Sequence, residues 1–314
     1  MAHSHEHHHP HGAHHASAGL RLALAGVITL AFVGFEAAAG WYANSLALLT
    51  DAAHNLTDAL ALGLSGYAHR LAGRPAHAGK TFGYHRAGIL AALLNSSTLA
   101  LIAFGIFHEA WGRFLAPPEV ASDVLMSVGG AAFAVNLLTA WLVSHGSDHD
   151  LNLRSVFLHL LGDVFSTFGA IAAGVGIWLT GKFWLDPLAS ALIGLLILWN
   201  AWAILRETVD ILLEATPEDI DMSLMVRDLL QVEGVRGVHD LHVWSISRSL
   251  RVLSAHVVID DVPVSQAALL QRRLGRLVRE RYAIDHSTLQ LECEGCEPDA
   301  LYCDITRAAP RPLD

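Results

Sequence analysis

The pattern His-x-x-x-Asp occurs twice, each time inside a long apolar stretch: His54-Asn55-Leu56-Thr57-Asp58 and His159-Leu160-Leu161-Gly162-Asp163. On a helix, positions i and i+4 share one face. Two such helices can therefore point two imidazole nitrogens and two carboxylate oxygens at one place. That is the ligand number and type of a tetrahedral divalent cation, zinc above all. Ionisable side chains are costly within a bilayer and mark paths for ions or protons. Asp51 lies one turn before His54 and shares its face, where it lines the path, accepts a proton or orients a ligand, or sits at the membrane interface. Glu36 and Asn136 are polar guests of apolar segments, suited to hydrogen bonds between helices.

The elements that must position these residues are membrane spans. The chain has 314 residues, 53% hydrophobic and only 16% charged, against about 25% charged in a soluble domain. A spanning helix needs about 20 mostly apolar residues. Six stretches meet that expectation: Leu20–Tyr42, Leu46–Leu71, Ala87–Trp111, Asp123–Val143, Ser155–Thr180 and Asp186–Leu205. Arg21, Arg70, Arg74, Lys80, Arg86, Arg154 and Arg206 fall on one side of such a bundle, while Arg113 and Lys182 fall on the other. The positive-inside rule then places both termini in the cytoplasm. Trp41, Trp111, Trp178 and Trp184 lie near the far-side ends, as an aromatic belt would.

After Leu213 the apolar runs stop. Pro217–Val232 reads as an amphipathic helix with acids in its first turn, Val238–Ser247 and Arg251–Ile259 as strands, Ser265–Tyr282 as an Arg-rich helix and Ser287–Leu291 as a third strand. The fold class expected is an α-helical membrane protein, with six transmembrane helices followed by a small α+β (αββαβ) cytoplasmic domain. The division expected is a His-rich disordered tail over 1–19, the membrane domain over 20–206, the cytoplasmic domain over 213–296 and a C-terminal tail over 297–314.

Two further groups could hold metal. The tail carries His3, His5, His7, His8, His9, His11, His14 and His15, without an apolar anchor and with irregular spacing unlike a hexahistidine tag. It reads as a weak metal-collecting arm. In the cytoplasmic domain His242 and His256 lie on adjacent predicted strands, His286 precedes the last strand and Glu292 ends it, and alternation puts them on one face. Cys293 and Cys296 follow as a C-x-x-C. The three cysteines are too few for a disulfide framework.

Other functions find less support. His108-Glu109-Ala110-Trp111-Gly112 begins like the metalloprotease H-E-x-x-H, but Gly112 stands where the second His is required. No G-x-S-x-G or Walker A sequence is present, which leaves hydrolysis and ATP-driven pumping without support. Arg272, Arg273, Arg276, Arg279 and Arg281 read as a solvated helix face, so no nucleic-acid partner is expected. A passive channel, a membrane metalloenzyme and a metal-sensing receptor remain as rivals. A channel needs a weak multi-ion path, an enzyme three protein ligands plus water, and a receptor leaves the buried pairs unexplained.

Several longer stretches resemble the cation diffusion facilitator family, of the zinc transporter type. They are Ser45–Asp58, Phe82-Gly-Tyr-His-Arg86, Leu153–Asp163, Asp186-Pro187, His239-Asp-Leu-His-Val-Trp244 and His286–Glu292. The resemblance implies six spans, an αββαβ cytoplasmic domain, a homodimer and metal/proton antiport rather than enzyme activity. It puts the transport site at His54, Asp58, His159 and Asp163, and the two-His, two-Asp version implies a preference for zinc, with cadmium and cobalt as further candidates. The cytoplasmic ligands map onto His242, His256, His286 and Glu292, with Cys293 and Cys296 beside them. Zn2+ is then both the cargo and a regulatory ligand. Family members often carry their His-rich segment between the fourth and fifth spans; here that loop holds only His145, Asp148, His149 and Asp150. Apart from the resemblance, the compact length and the absence of a targeting signal point to a bacterial inner membrane.

Overall fold

The computed structural model describes residue 27 and residues 29–144 and 151–293. The His-rich tail, the loop at 145–150, Cys296 and the tail over 297–314 lie outside the described residues. Six helices come first: α1 (29–42), α2 (Leu46–Ala72), α3 (Ala87–Leu115), α4 (Ser122–Ser144), α5 (Leu151–Thr180) and α6 (Leu185–Leu212). Among the described residues four segments are long and apolar enough to cross a membrane: Ala87–Leu115, Ser122–Trp141, His159–Thr180 and Leu185–Leu212. The sequence predicts six. α2 has the length, at 27 residues, but it carries Thr50, Asp51, His54, Asn55, Thr57 and Asp58, the cost of building a polar site into a span.

The chain divides into two compact units, one of residues up to Gly66 with Leu94–Leu205, the other of Tyr67–Leu93 with the chain from Arg206 onward. In the first, the buried apolar cluster is rich in small side chains, with Ala47, Ala103, Ala170, Ala173, Ala189 and Ala201 alongside Leu48, Leu125, Ile193 and Ile197. Small residues let helix backbones approach closely where lipid supplies no hydrophobic drive. Gly174 shows how tight this is: a Cβ there would sit 2.9 Å from Met126 Cγ, across the α4–α5 contact. Leu101, Phe104, Trp111, Trp178, Trp199 and Trp202 face outward, as in a lipid-bathed bundle.

One carboxylate organises the start of α2. Asp186, in the first turn of α6 and fully buried, accepts from Ser45 Oγ at 2.6 Å, Leu46 N–H at 2.7 Å and Ala47 N–H at 3.2 Å. It satisfies first-turn donors that a helix cannot satisfy within itself and places a negative charge at the positive end of the helix dipole. Asn44, at φ 54°, turns the chain from α1 into α2, and its carbonyl accepts from Arg113 Nη1 at 2.9 Å.

In the second unit, α7 (Met222–Leu230), β1 (Val235–Ser247), β2 (Leu250–Ile259), α8 (Val264–Tyr282) and β3 (His286–Glu292) give the predicted αββαβ order. α7 starts later than the predicted Pro217 because Pro217–Ile220 forms a turn and Asp221 caps the helix, accepting from Leu224 N–H at 3.0 Å. The sheet order is β1-β2-β3, with β1–β2 antiparallel and β2–β3 parallel. α8 makes the crossover that a parallel pair requires. Met225, Leu229, Leu241, Leu253, Val257, Leu274, Val278, Ile284 and Leu289 fill the core. Beside it Tyr282 donates its hydroxyl to buried Asp228, which also pairs with Arg281 at 2.9 Å. Burial and that carboxylate push the Tyr282 phenol up to about 12.

Candidate metal centres

α2 and α5 bring the two His-x-x-x-Asp motifs together. His54 Nε2 lies 3.5 Å from Asp58 Oδ2 and 3.3 Å from Asp163 Oδ1. His159 Nε2 lies 3.1 Å from Asp58 Oδ2 and 3.9 Å from Asp163 Oδ2. Each histidine thus sits between both aspartates, in an alternating ring whose shortest sides cross between the helices. The two imidazoles meet edge to face, with centroids 6.0 Å apart. His54 is buried, with Nδ1 lacking any hydrogen-bond partner. The side chain of His159 is 46% exposed, which leaves the ring open on that side.

The polar guests surround this ring. Asp51 is buried and accepts from Ser166 Oγ at 2.6 Å. Asn55 Nδ2 donates to Asp51 Oδ2 at 3.3 Å and to Glu36 Oε2 at 3.4 Å, so α1, α2 and α5 share one polar network. Asn136 of α4 reaches the Asp163 carbonyl at 3.5 Å.

The cytoplasmic unit holds a second cluster, and here the geometry corrects the sequence reading. The ligand atoms of His239, His256 and Glu292 all lie within 4.8 Å of one another. His239 Nε2 contacts Glu292 Oε1, and His256 Nδ1 lies 3.5 Å from Glu292 Oε2 without a hydrogen bond to it. The predicted set named His242 instead of His239. Register is the reason: His239 lies directly opposite His256, whereas His242 lies opposite Ser254, past a one-residue bulge where Asp240 takes φ 49°. The inserted residue leaves both histidines on one strand face, but only His239 opposite the His256 ring. His239 becomes the cross-strand partner of His256, while exposed His242 bonds Asp240 Oδ1 at 3.0 Å. Asp240 Oδ2 approaches His256 Nε2 at 3.7 Å.

His286 is also misplaced by the sequence reading. It shares a face with Glu292 by parity, but it pairs with Val252 at the other end of β3, roughly 20 Å along a strand at about 3.3 Å per residue. There its ring stacks edge-on against Phe82, at 5.6 Å between centroids. Even spacing along a strand fixes a shared face and carries no distance. Cys293 follows Glu292 and is exposed.

Residues 22–213 match the model of the cation efflux transmembrane domain, and residues 217–294 that of the cation efflux protein cytoplasmic domain. A relative from Bacillus subtilis (strain 168), named a cadmium, cobalt and zinc/H(+)-K(+) antiporter, is 38% identical over 88% of this chain and 90% of its own length. The zinc transporter ZitB of Pectobacterium atrosepticum is 39% identical, covering 95% and 91%. The metal cation efflux system protein CzcD of Cupriavidus metallidurans is 35% identical, covering 95% and 92%. With both domain models matched in order and such relatives along nearly its full length, the chain belongs to the cation efflux family, a family of multi-pass membrane transporters.

Proposed function

We propose that this protein exports zinc, with cadmium and cobalt as further cargo, from the cytoplasm in exchange for protons, by alternating access at His54, Asp58, His159 and Asp163. The observation that carries the reading is the alternating ring, in which each histidine nitrogen lies within 3.9 Å of both aspartates. Two nitrogens and two carboxylate oxygens suit zinc. The same atoms bind protons, so metal and protons compete for one set of side chains. A ring facing the cytoplasm takes zinc and gives up protons; facing outward, it exchanges zinc for protons and returns. Asp51 lies beside the path. The names of relatives that pair zinc with H(+) support the exchange.

In this reading residues 20–206 form the transport domain, with both termini cytoplasmic in a bacterial inner membrane, and lipid covers the outward apolar face. Residues 213–296 bind metal and join two copies into a homodimer, residues 1–19 collect metal through His3, His5, His7, His8, His9, His11, His14 and His15, and 297–314 form a tail. The donor set of His239, His256 and Glu292 fits zinc: two imidazoles and a carboxylate converge, and His256 Nδ1 is buried without a hydrogen bond. His239, His256 and Glu292 would hold the ion, which would supply a link among the strands that carry them. The three side chains reach from three strands, so they sense metal and stiffen the sheet together, and raised cytosolic zinc favours export.

The test is zinc uptake into inside-out vesicles, with and without an imposed pH gradient, for the native protein and Asp163→Ala. Gradient-driven uptake that the substitution abolishes is expected. Flux indifferent to the gradient would make the protein a channel, and full flux in the variant would dismiss the four-residue site.

A further inference from the structure

The transport ring leaves two carboxyls of the membrane domain without a task. Glu36 on α1 and Asp51 on α2 are 0% and 1% exposed. One amide nitrogen, Asn55 Nδ2, reaches both carboxyls, at 3.4 Å to Glu36 Oε2 and 3.3 Å to Asp51 Oδ2, so the two lie beside each other. Among the described residues no Lys or Arg pairs with either. Two carboxylates buried side by side would be prohibitively costly if both were charged and unpaired. Something positive belongs there.

The hydrogen bonds decide what. Three of the four carboxyl oxygens are already served: Asp51 Oδ1 by Ser166, Asp51 Oδ2 and Glu36 Oε2 by Asn55. The fourth, Glu36 Oε1, is buried and has no partner. A metal ion of the hard class needs about six oxygens or more around it. One open, buried oxygen on a carboxyl that shares an amide donor with a second carboxyl fits a proton.

We propose that Glu36 carries one of the protons exchanged for zinc, held on its carboxyl against Asp51 and separate from the four ring ligands. The groups around it are few. α2 presents Asp51 and, further along, His54; α5 presents Ser166 and, beyond it, Asp163; none is a permanent cation. Asp51, His54 and Asp58 lie along one face of α2. A dication in the ring therefore raises the local potential at Glu36 through an interior that screens weakly. The Glu36 O–H bond breaks, its proton leaves to water, and its electron pair stays as carboxylate charge that offsets the metal. When zinc departs, a proton from the far side restores the O–H bond. Each zinc exchanged this way moves one proton more than the ring alone would.

This inference rests on the ring being the transport site, and two variants separate the two ideas. Purified full-length protein is titrated with zinc in weak buffer with a pH indicator, and protons released are counted per zinc bound. Glu36→Gln is expected to bind as many zinc ions as the native protein and to release about one proton fewer. In reconstituted vesicles its zinc accumulation at equilibrium should fall about tenfold for each unit of imposed pH difference, since one proton's drive is lost. An unchanged proton count with zinc bound overturns the proposal. If Glu36→Gln does not fold, Asp51→Asn removes the partner of the same proton, and an unchanged count there overturns it equally. Asp163→Ala reports on the ring alone: zinc binding and flux that survive in it would sink the site rather than the proton carrier.

Discussion

His54 Nε2 lies 3.3 Å from Asp163 Oδ1, a residue 109 positions further along the chain and on another helix. The aspartate of its own motif, Asp58, stands slightly further off at 3.5 Å. The unit of the site is therefore the crossed pair. Because each aspartate serves both histidines, changing one ligand alters the surroundings of two others. The cleanest prediction follows at His54, whose nitrogen is the softer donor of the pair. His54→Asp replaces nitrogen with oxygen and tilts the ring toward harder cations. Manganese flux relative to zinc should rise, and zinc affinity should drop at least as much as when a ligand's outer partner is lost, about 10–100-fold. Competition uptake with both metals in vesicles measures this; an unchanged ratio would mean that His54 does not touch the cargo.

The cytoplasmic centre predicts an unequal effect among histidines that look alike in sequence. His239→Ala and Glu292→Gln should each remove one zinc ion from the stoichiometry of the full-length protein measured by equilibrium dialysis. His286→Ala should leave that number intact, since its ring meets Phe82 and not the triad. A loss of zinc in the His286 variant would reinstate it as a ligand.

Asp186 predicts a graded loss of stability. Asp186→Ala strands the N–H groups of Leu46 and Ala47 and the hydroxyl of Ser45, and a buried donor left without a partner costs about 1–3 kcal/mol. Asp186→Asn keeps one oxygen and should lose less. Thermal unfolding in detergent, followed by tryptophan fluorescence, should rank the melting temperatures native, Asn, Ala. Equal values for Asn and Ala would mean that charge alone matters there.

Tyr282 predicts a pH limit. Its phenol is raised to about 12 by burial and by Asp228, so the protonated form is the one the fold prefers. Its contribution is complete below about 10, where a free tyrosine ionises, and fades as pH climbs through about 12. Melting temperatures of the native protein and Tyr282→Phe should differ by a constant amount up to pH 9 or so and converge above about 10. A gap that persists unchanged into strong alkali would remove the Asp228 bond from the account.

Periodicity made the ring of His54, Asp58, His159 and Asp163 legible, because i and i+4 put His and Asp on one helical face whatever the packing. The αββαβ order was readable from alternation and the apolar stripe of α8. His239 was hidden because only the cross-strand register, which sets it directly opposite His256 and sets His242 opposite Ser254, tells the two histidines of His239-Asp-Leu-His242 apart, and register leaves no mark in composition. Asp186 as the partner of Ser45 was equally out of reach: 141 residues separate them, and no local period links a carboxylate to another helix's first turn. α2 was readable as a helix, yet its polar cargo keeps it outside the segments apolar enough to cross by composition alone.

The Asp186 bonds also make the start of α2 a fulcrum. Sliding α2 along its axis would break three hydrogen bonds at once, while tilting it about Ser45 and Leu46 keeps them. In a tilt, displacement grows with the length of the lever arm. His54 lies about 12 Å and Asp58 about 18 Å along the helix from Leu46, so a swing of about 10° carries them roughly 2 and 3 Å sideways. That is enough to part a crossed pair held at 3.3 Å while the anchored end stays still, so a small rotation at the start of α2 is magnified at the ring.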